Sequence, residues 1–111
     1  MSGITTHVLD TSRGRPASGV RLTLHMHEGG AWKELARGAT DDDGRCKSLT
    51  PTGIGAGRYR ITFETGAYFV AQNVETFYPE VSVLFEVTDA AAHYHVPLLL
   101  SPWGYSTYRG S

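Results

Sequence analysis

Two histidines, three tyrosines, a tryptophan and an arginine crowd residues 93–111, a stretch that reads His93-Tyr94-His95-Val96-Pro97 and closes on Tyr108-Arg109-Gly110-Ser111. Chain ends are usually polar and loose, so side chains of this chemistry point to an ordered segment with work to do. Alternation through Tyr94, Val96, Leu98 and Leu100 predicts a strand with one buried face. His93 and His95 then project together from the other face. His7, near the other end of the chain, sits opposite Thr6 and Val8 in a similar alternating segment. Imidazoles suit proton transfer near neutral pH, because their unperturbed pKa of about 6.5 lies close to it.

Arg45 directly follows the turn Asp41-Asp42-Asp43-Gly44. It is either a solvated cation paired with Asp41 or Asp43, or a guanidinium fork for a planar anion, a task that arginine suits better than lysine. Tyr108 and Arg109 add a phenol and a second guanidinium. Other groupings carry less. His25 and His27 lie two apart on one strand face with nothing nearby to complete a ligand set, so solvent exposure is expected of them. The aspartate turn lacks the alternate spacing and the closing glutamate of a calcium loop. Ser101 and Ser106 have no nucleophile elbow around them. Cys46 is the sole cysteine, which excludes an internal disulfide and a cysteine-based zinc site. No metal and no cofactor are expected.

Positioning such residues falls to short strands. Thirteen glycines and five prolines punctuate apolar segments at the intervals of an all-β sandwich. Strands are expected over residues 4–10, 20–26, 32–40, 57–64, 81–87, 93–100 and 104–108, with a further short one over 46–50. The one place for a helix is residues 66–73, barely two turns, which needs tertiary packing to persist. The chain has 111 residues, enough for one domain spanning residues 1–111. Ten basic residues against eleven acidic ones leave a formal net charge of -1, so no basic excess exists to neutralise a nucleic-acid backbone. No apolar run approaches the roughly 20 residues of a membrane span, and no secretory signal is visible. A soluble, cytoplasmic chain that binds neither nucleic acid nor membrane is expected.

The segments Thr6-His7-Val8-Leu9-Asp10, Asp43-Gly44-Arg45, His95-Val96-Pro97-Leu98-Leu99-Leu100-Ser101-Pro102 and Tyr105-Ser106-Thr107-Tyr108-Arg109-Gly110-Ser111 resemble the 5-hydroxyisourate hydrolases. These enzymes are among the transthyretin-related proteins of purine breakdown. The resemblance runs from end to end, through Arg13-Gly14, Pro16-Ala17 and Ala67-Tyr68-Phe69. The Tyr-Arg-Gly-Ser ending is its most specific part, because hormone-carrying transthyretins lack it.

The resemblance implies a transthyretin-like β-sandwich of two four-stranded sheets with one short helix. It implies a homotetramer with paired sites in the channel where two dimers meet. The implied activity is metal-independent hydrolysis of 5-hydroxyisourate to 2-oxo-4-hydroxy-4-carboxy-5-ureidoimidazoline. Catalysis is implied for His7, Arg45 and His95, and substrate contact for His7, Arg45, Tyr108, Arg109 and Ser111. Which histidine acts as the base stays open, as does whether Arg109 and Ser111 touch substrate or anchor the tail. The alternative is a transthyretin-like small-molecule carrier without catalysis. Three potentially cationic groups in one channel count against it.

Overall fold

The computed structural model describes residues 3–47, 49–50 and 53–110. Among the described residues, nine strands and one helix follow in the order β1 (Gly3–Asp10), β2 (Arg15–Pro16), β3 (Arg21–Glu28), β4 (Ala31–Ala39), β5 (Arg45–Cys46), β6 (Gly57–Phe63), α1 (Thr65–Val70), β7 (Val81–Val87), β8 (His93–Ser101) and β9 (Gly104–Thr107). They form two sheets, as an all-β sandwich requires. One runs β4-β3-β6-β7; the other runs β2-β1-β8-β9, with β5 also paired to β1. Alternation explains both inner faces. Ile4, Val8, Leu98 and Leu100 from one sheet meet Leu22, Leu24, Tyr59, Ile61 and Phe63 from the other, all almost wholly buried. No helix among the described residues is long and apolar enough to cross a membrane.

The pairing that matters most for the site is β1 with β8. These strands are parallel and far apart in sequence, with Thr5 opposite His95 and His7 opposite Pro97. Because the even-numbered residues of both strands are buried toward the core, their odd-numbered residues fall on the outer face of this sheet. β5 then joins β1 with Arg45 opposite His7.

Three local expectations need correction. The helix spans only Thr65–Val70, not residues 66–73. Ala71 and Gln72 still bond back toward it, but Asn73 takes a left-handed φ of 58° and turns the chain away, a conformation asparagine tolerates better than most. What keeps six helical residues folded is docking: Phe69 is buried, and the Tyr68 hydroxyl donates to Asp10 Oδ2 at 2.8 Å. The strand expected over residues 46–50 shrinks to Arg45–Cys46, with Ser48 outside the described residues. Thr50 there uses its side chain instead, its Oγ1 accepting the Ile4 N–H at 3.0 Å. β2 lies outside the expected strands, and there Pro16 pairs with Leu9. A proline can sit there because β2 is a sheet edge.

Candidate active site

The aspartate turn is built to hold Arg45 and His7 together. Asp41 Oδ1 accepts the backbone N–H of Asp43 at 2.9 Å and that of Arg45 at 3.0 Å. These bonds, that from Arg45 foremost, keep the Asp41 carboxyl below the usual carboxylate range. Gly44 has φ +76°, and a β-carbon there would run into the Val8 carbonyl, so glycine is needed for the turn to lie against β1. The turn in this shape points the Asp43 carbonyl at His7, whose Nε2 lies 2.8 Å from that oxygen. A carbonyl only accepts, so Nε2 carries the proton and neutral His7 is left with Nδ1 as a free acceptor. Among the described residues no carboxylate lies within ion-pair distance of the exposed Arg45 guanidinium. Asp41 thus binds the Arg45 backbone and leaves its side chain available.

His95 stands on the same face, half-buried, with Nδ1 2.8 Å from Thr5 Oγ1. Burial pushes its imidazole below the ordinary value, and Coulomb repulsion from Arg45, and from His7 and His93 when protonated, pushes the same way, against an opposing hydrogen bond to Thr5. The pairing register brings the two histidines and the arginine together despite their separation in sequence, with Arg45 opposite His7 on one side of β1 and His95 opposite Thr5, two residues along from His7, on the other. His95 therefore stays neutral to lower pH than a free imidazole.

The tail continues the sheet. β9 pairs with β8 through Leu98 opposite Thr107, and His95 opposite Gly110 keeps the same register. Continued in that register, Tyr108 falls opposite Pro97 on the outer face, and Arg109 opposite Val96 on the inner one. Arg109 is occupied there: its guanidinium lies 4.3 Å from the centre of the Tyr94 ring, a cation–π contact. Gly110 N–H donates to the His95 carbonyl at 2.8 Å, and a β-carbon on Gly110 would come within 2.7 Å of His95 Cδ2. The tail thus abuts the imidazole directly. Ser111 lies outside the described residues.

The fold brings together His7, Arg45 and His95, with Tyr108 on the same face and Arg109 turned from it. His93, the open competitor, is present too, but its Nε2 meets Thr5 Oγ1 at 2.9 Å. Thr5 is the residue that reading the sequence missed. Its signal was faint, a threonine two positions before His7 on the same strand face. His25 is half-buried and His27 exposed, edge-on to Trp32. Among the described residues no cluster of three or more histidine, cysteine or acidic side chains is arranged to hold a metal. A concavity of about 790 Å³ lined by Arg13, Arg21, Tyr68 and Gln72 among others shares none of the site residues. Among the described residues the histidine face is an open sheet surface.

A family model described as the HIUase/Transthyretin family matches residues 4–110. A 5-hydroxyisourate hydrolase from Salmonella dublin is 48% identical over 109 residues, covering 97% of this chain and 80% of the relative. The structure of Klebsiella pneumoniae 5-hydroxyisourate hydrolase is 40% identical with a TM-score of 0.90, and each chain covers 100% of the other. Sea bream transthyretin in complex with thyroxine has a TM-score of 0.91 at 34% identity, covering 96% of this chain and 93% of that one.

Proposed function

The chain belongs to the HIUase/transthyretin family, and on that premise we infer that it is a 5-hydroxyisourate hydrolase working on the outer face of the β1–β8 sheet. The observation that carries this reading is the convergence of His7, Arg45 and His95, with a guanidinium left free of carboxylates among the described residues and a histidine Nδ1 free to accept a proton. A carrier of an apolar hormone has little use for that set.

The substrate is an oxygen-rich bicycle whose six-membered ring opens at a carbonyl–nitrogen bond, giving 2-oxo-4-hydroxy-4-carboxy-5-ureidoimidazoline. Opening requires an activated water, a place for negative charge on the carbonyl oxygen, and a proton for the departing nitrogen. His7 Nδ1 takes the proton from water, since Nε2 is held by the Asp43 carbonyl. Arg45 binds the substrate's oxygens and stabilises the charge that builds on them. His95, through Nε2, faces the leaving nitrogen. Tyr108 supplies a ring wall and a hydroxyl, Arg109 anchors the tail on Tyr94, and Ser111 follows as part of the same tail. The substrate also hydrolyses slowly unaided, so general acid–base help of about 10²–10⁴-fold with positioning is a sufficient catalytic task.

The working protein is a homotetramer in this reading. β7 and β9 are the end strands of the two sheets, and residues of both line one cleft of about 300 Å³. Both sheets therefore end on one side of the sandwich, with Leu84 and Tyr108 exposed there. A second copy extends both sheets at once. Pairing of two such dimers over their histidine faces provides a second wall. A cytoplasmic location fits a chain of this composition.

Freshly made 5-hydroxyisourate has an ultraviolet signal that decays as the ring opens. At one protein per hundred or so substrate molecules, the hydrolase shortens the lifetime of the whole signal, whereas a carrier leaves the bulk decay unchanged.

A further inference from the structure

A neutral imidazole is a poor acid. If it gives up its one N–H proton it becomes an imidazolate, which is out of reach near pH 7, unless its other nitrogen is protonated in the same event. His95 is in that position. Its surroundings keep it neutral, yet it faces the nitrogen that must leave with a proton. The structure shows what stands behind it. Thr5 Oγ1 lies 2.8 Å from His95 Nδ1 and 2.9 Å from His93 Nε2, bridging the two rings.

A threonine hydroxyl has one proton to donate. It can serve one imidazole only, and the other ring must donate to it or forgo a bond. The two histidines are therefore complementary: if Thr5 donates to His95 Nδ1, His93 Nε2 donates to Thr5. The backbone makes this bridge specific. Parallel pairing sets Thr5 opposite His95 and Gly3 opposite His93, so one hydroxyl on β1 falls between two side chains that are both on the outer face of β8.

We propose that His93 and Thr5 form a proton relay behind His95, making Thr5 and His93 positioning residues for the hydrolysis. The proposal rests on the hydrolase reading above. In the state that reacts, His95 carries its proton on Nε2, Thr5 donates to His95 Nδ1, and His93, with a proton on both nitrogens, donates Nε2–H to Thr5. As the ring opens, the His95 Nε2–H bond breaks and a bond from that proton to the leaving nitrogen forms. The Thr5 O–H proton passes to His95 Nδ1, and the His93 Nε2 proton passes to Thr5 Oγ1. His95 changes tautomer without changing charge. His93 ends neutral with its proton on Nδ1; a solvent proton then enters at His95 Nε2 while the relay runs backwards, from His95 Nδ1–H to Thr5 and from Thr5 O–H to His93 Nε2, and His7 returns to solvent the proton it took from water. Arg45, the His7 imidazolium formed when water gives up its proton, and a charged His93 all disfavour a charged His95, and they are no obstacle to this sequence because His95 is never charged.

The test uses the full-length protein with Thr5→Val, Thr5→Ser, His93→Gln and the Val/Gln double variant. Thr5→Val keeps the shape of the side chain and removes the hydroxyl. The relay predicts a fall in kcat of about 10²-fold, the low end for loss of acid–base help, with KM within about twofold. Thr5→Ser restores kcat to near the original value. His93→Gln falls as far as Thr5→Val, and the double variant falls no further than the lower single, because both interrupt one chain. Thr5→Val retaining kcat within about threefold, or the two losses multiplying, overturns the relay. Nitrogen-15 NMR of the resting wild-type protein gives a reading that needs neither a variant nor substrate: His95 must be the Nε2–H tautomer, and an Nδ1–H tautomer refutes the proposal. A wild-type protein with that tautomer but no effect on 5-hydroxyisourate refutes the hydrolase reading instead.

Discussion

At the scale of single residues, the site depends on what each side chain is prevented from doing. Asp41 holds the backbone of Arg45 rather than its guanidinium, so the cation remains available for substrate oxygens. Arg45→Lys keeps the charge and loses the planar fork. It should leave the fold intact and lower kcat/KM by at least about 10-fold, since a charge-assisted hydrogen bond contributes roughly 1.5–3 kcal/mol. Steady-state kinetics reads this directly, and unchanged kinetics removes Arg45 from the site. His95 adds a prediction in pH. Its folded-state pKa is depressed, so below the unfolded value of about 6.5 the unfolded chain binds the extra proton more readily. Its contribution to stability is thus present above that value and is lost as pH falls toward the folded pKa. Urea unfolding at about pH 7.5 and about pH 5.5 should show the wild type losing more stability than His95→Gln does. Equal losses would mean that His95 titrates as an ordinary imidazole.

At the scale of elements, the parallel pairing of β1 with β8 and the antiparallel return of β9 decide which residues share a face. Period-two alternation made the strands and their buried sides legible in the sequence, from Leu22 and Leu24 to Leu98 and Leu100. It also put His93 and His95 on one face and Thr107 and Arg109 against Tyr108. It could not supply register between strands some ninety positions apart, so Thr5 remained an ordinary strand threonine until β8 lay beside it. The helix end was hidden for a similar reason, because residues 71–73 are acceptable helix formers and it is the left-handed Asn73 that stops them. Gly110 is the test at this scale. Its approach to His95 leaves no room for a β-carbon, so Gly110→Ala must displace either the tail or the ring. Misplacing a catalytic group by about 1 Å can cost about 10²-fold in rate. The variant should lose activity on that order while its circular dichroism and thermal midpoint change little. Full activity would show that the tail is only loosely apposed to the imidazole.

At the scale of the whole molecule, the proposed tetramer would cover two features of the single chain. Its sheets end together in β7 and β9, and its histidine face is open on one side. Sedimentation equilibrium should give four times the monomer mass, with activity per chain falling on dilution below the assembly constant. A fully active monomer would overturn both the tetramer and the shared channel. At the centre stands the convergence of His7, Arg45 and His95, which should turn over 5-hydroxyisourate. The most direct measurement compares wild type and His95→Ala, matched for fold and assembly, at a hundredfold or so excess of freshly generated substrate. Wild type should clear many equivalents per chain, and His95→Ala should be slower by at least about 10²-fold. Equal rates in the two proteins, or a wild type that takes up one equivalent and stops, would contradict it.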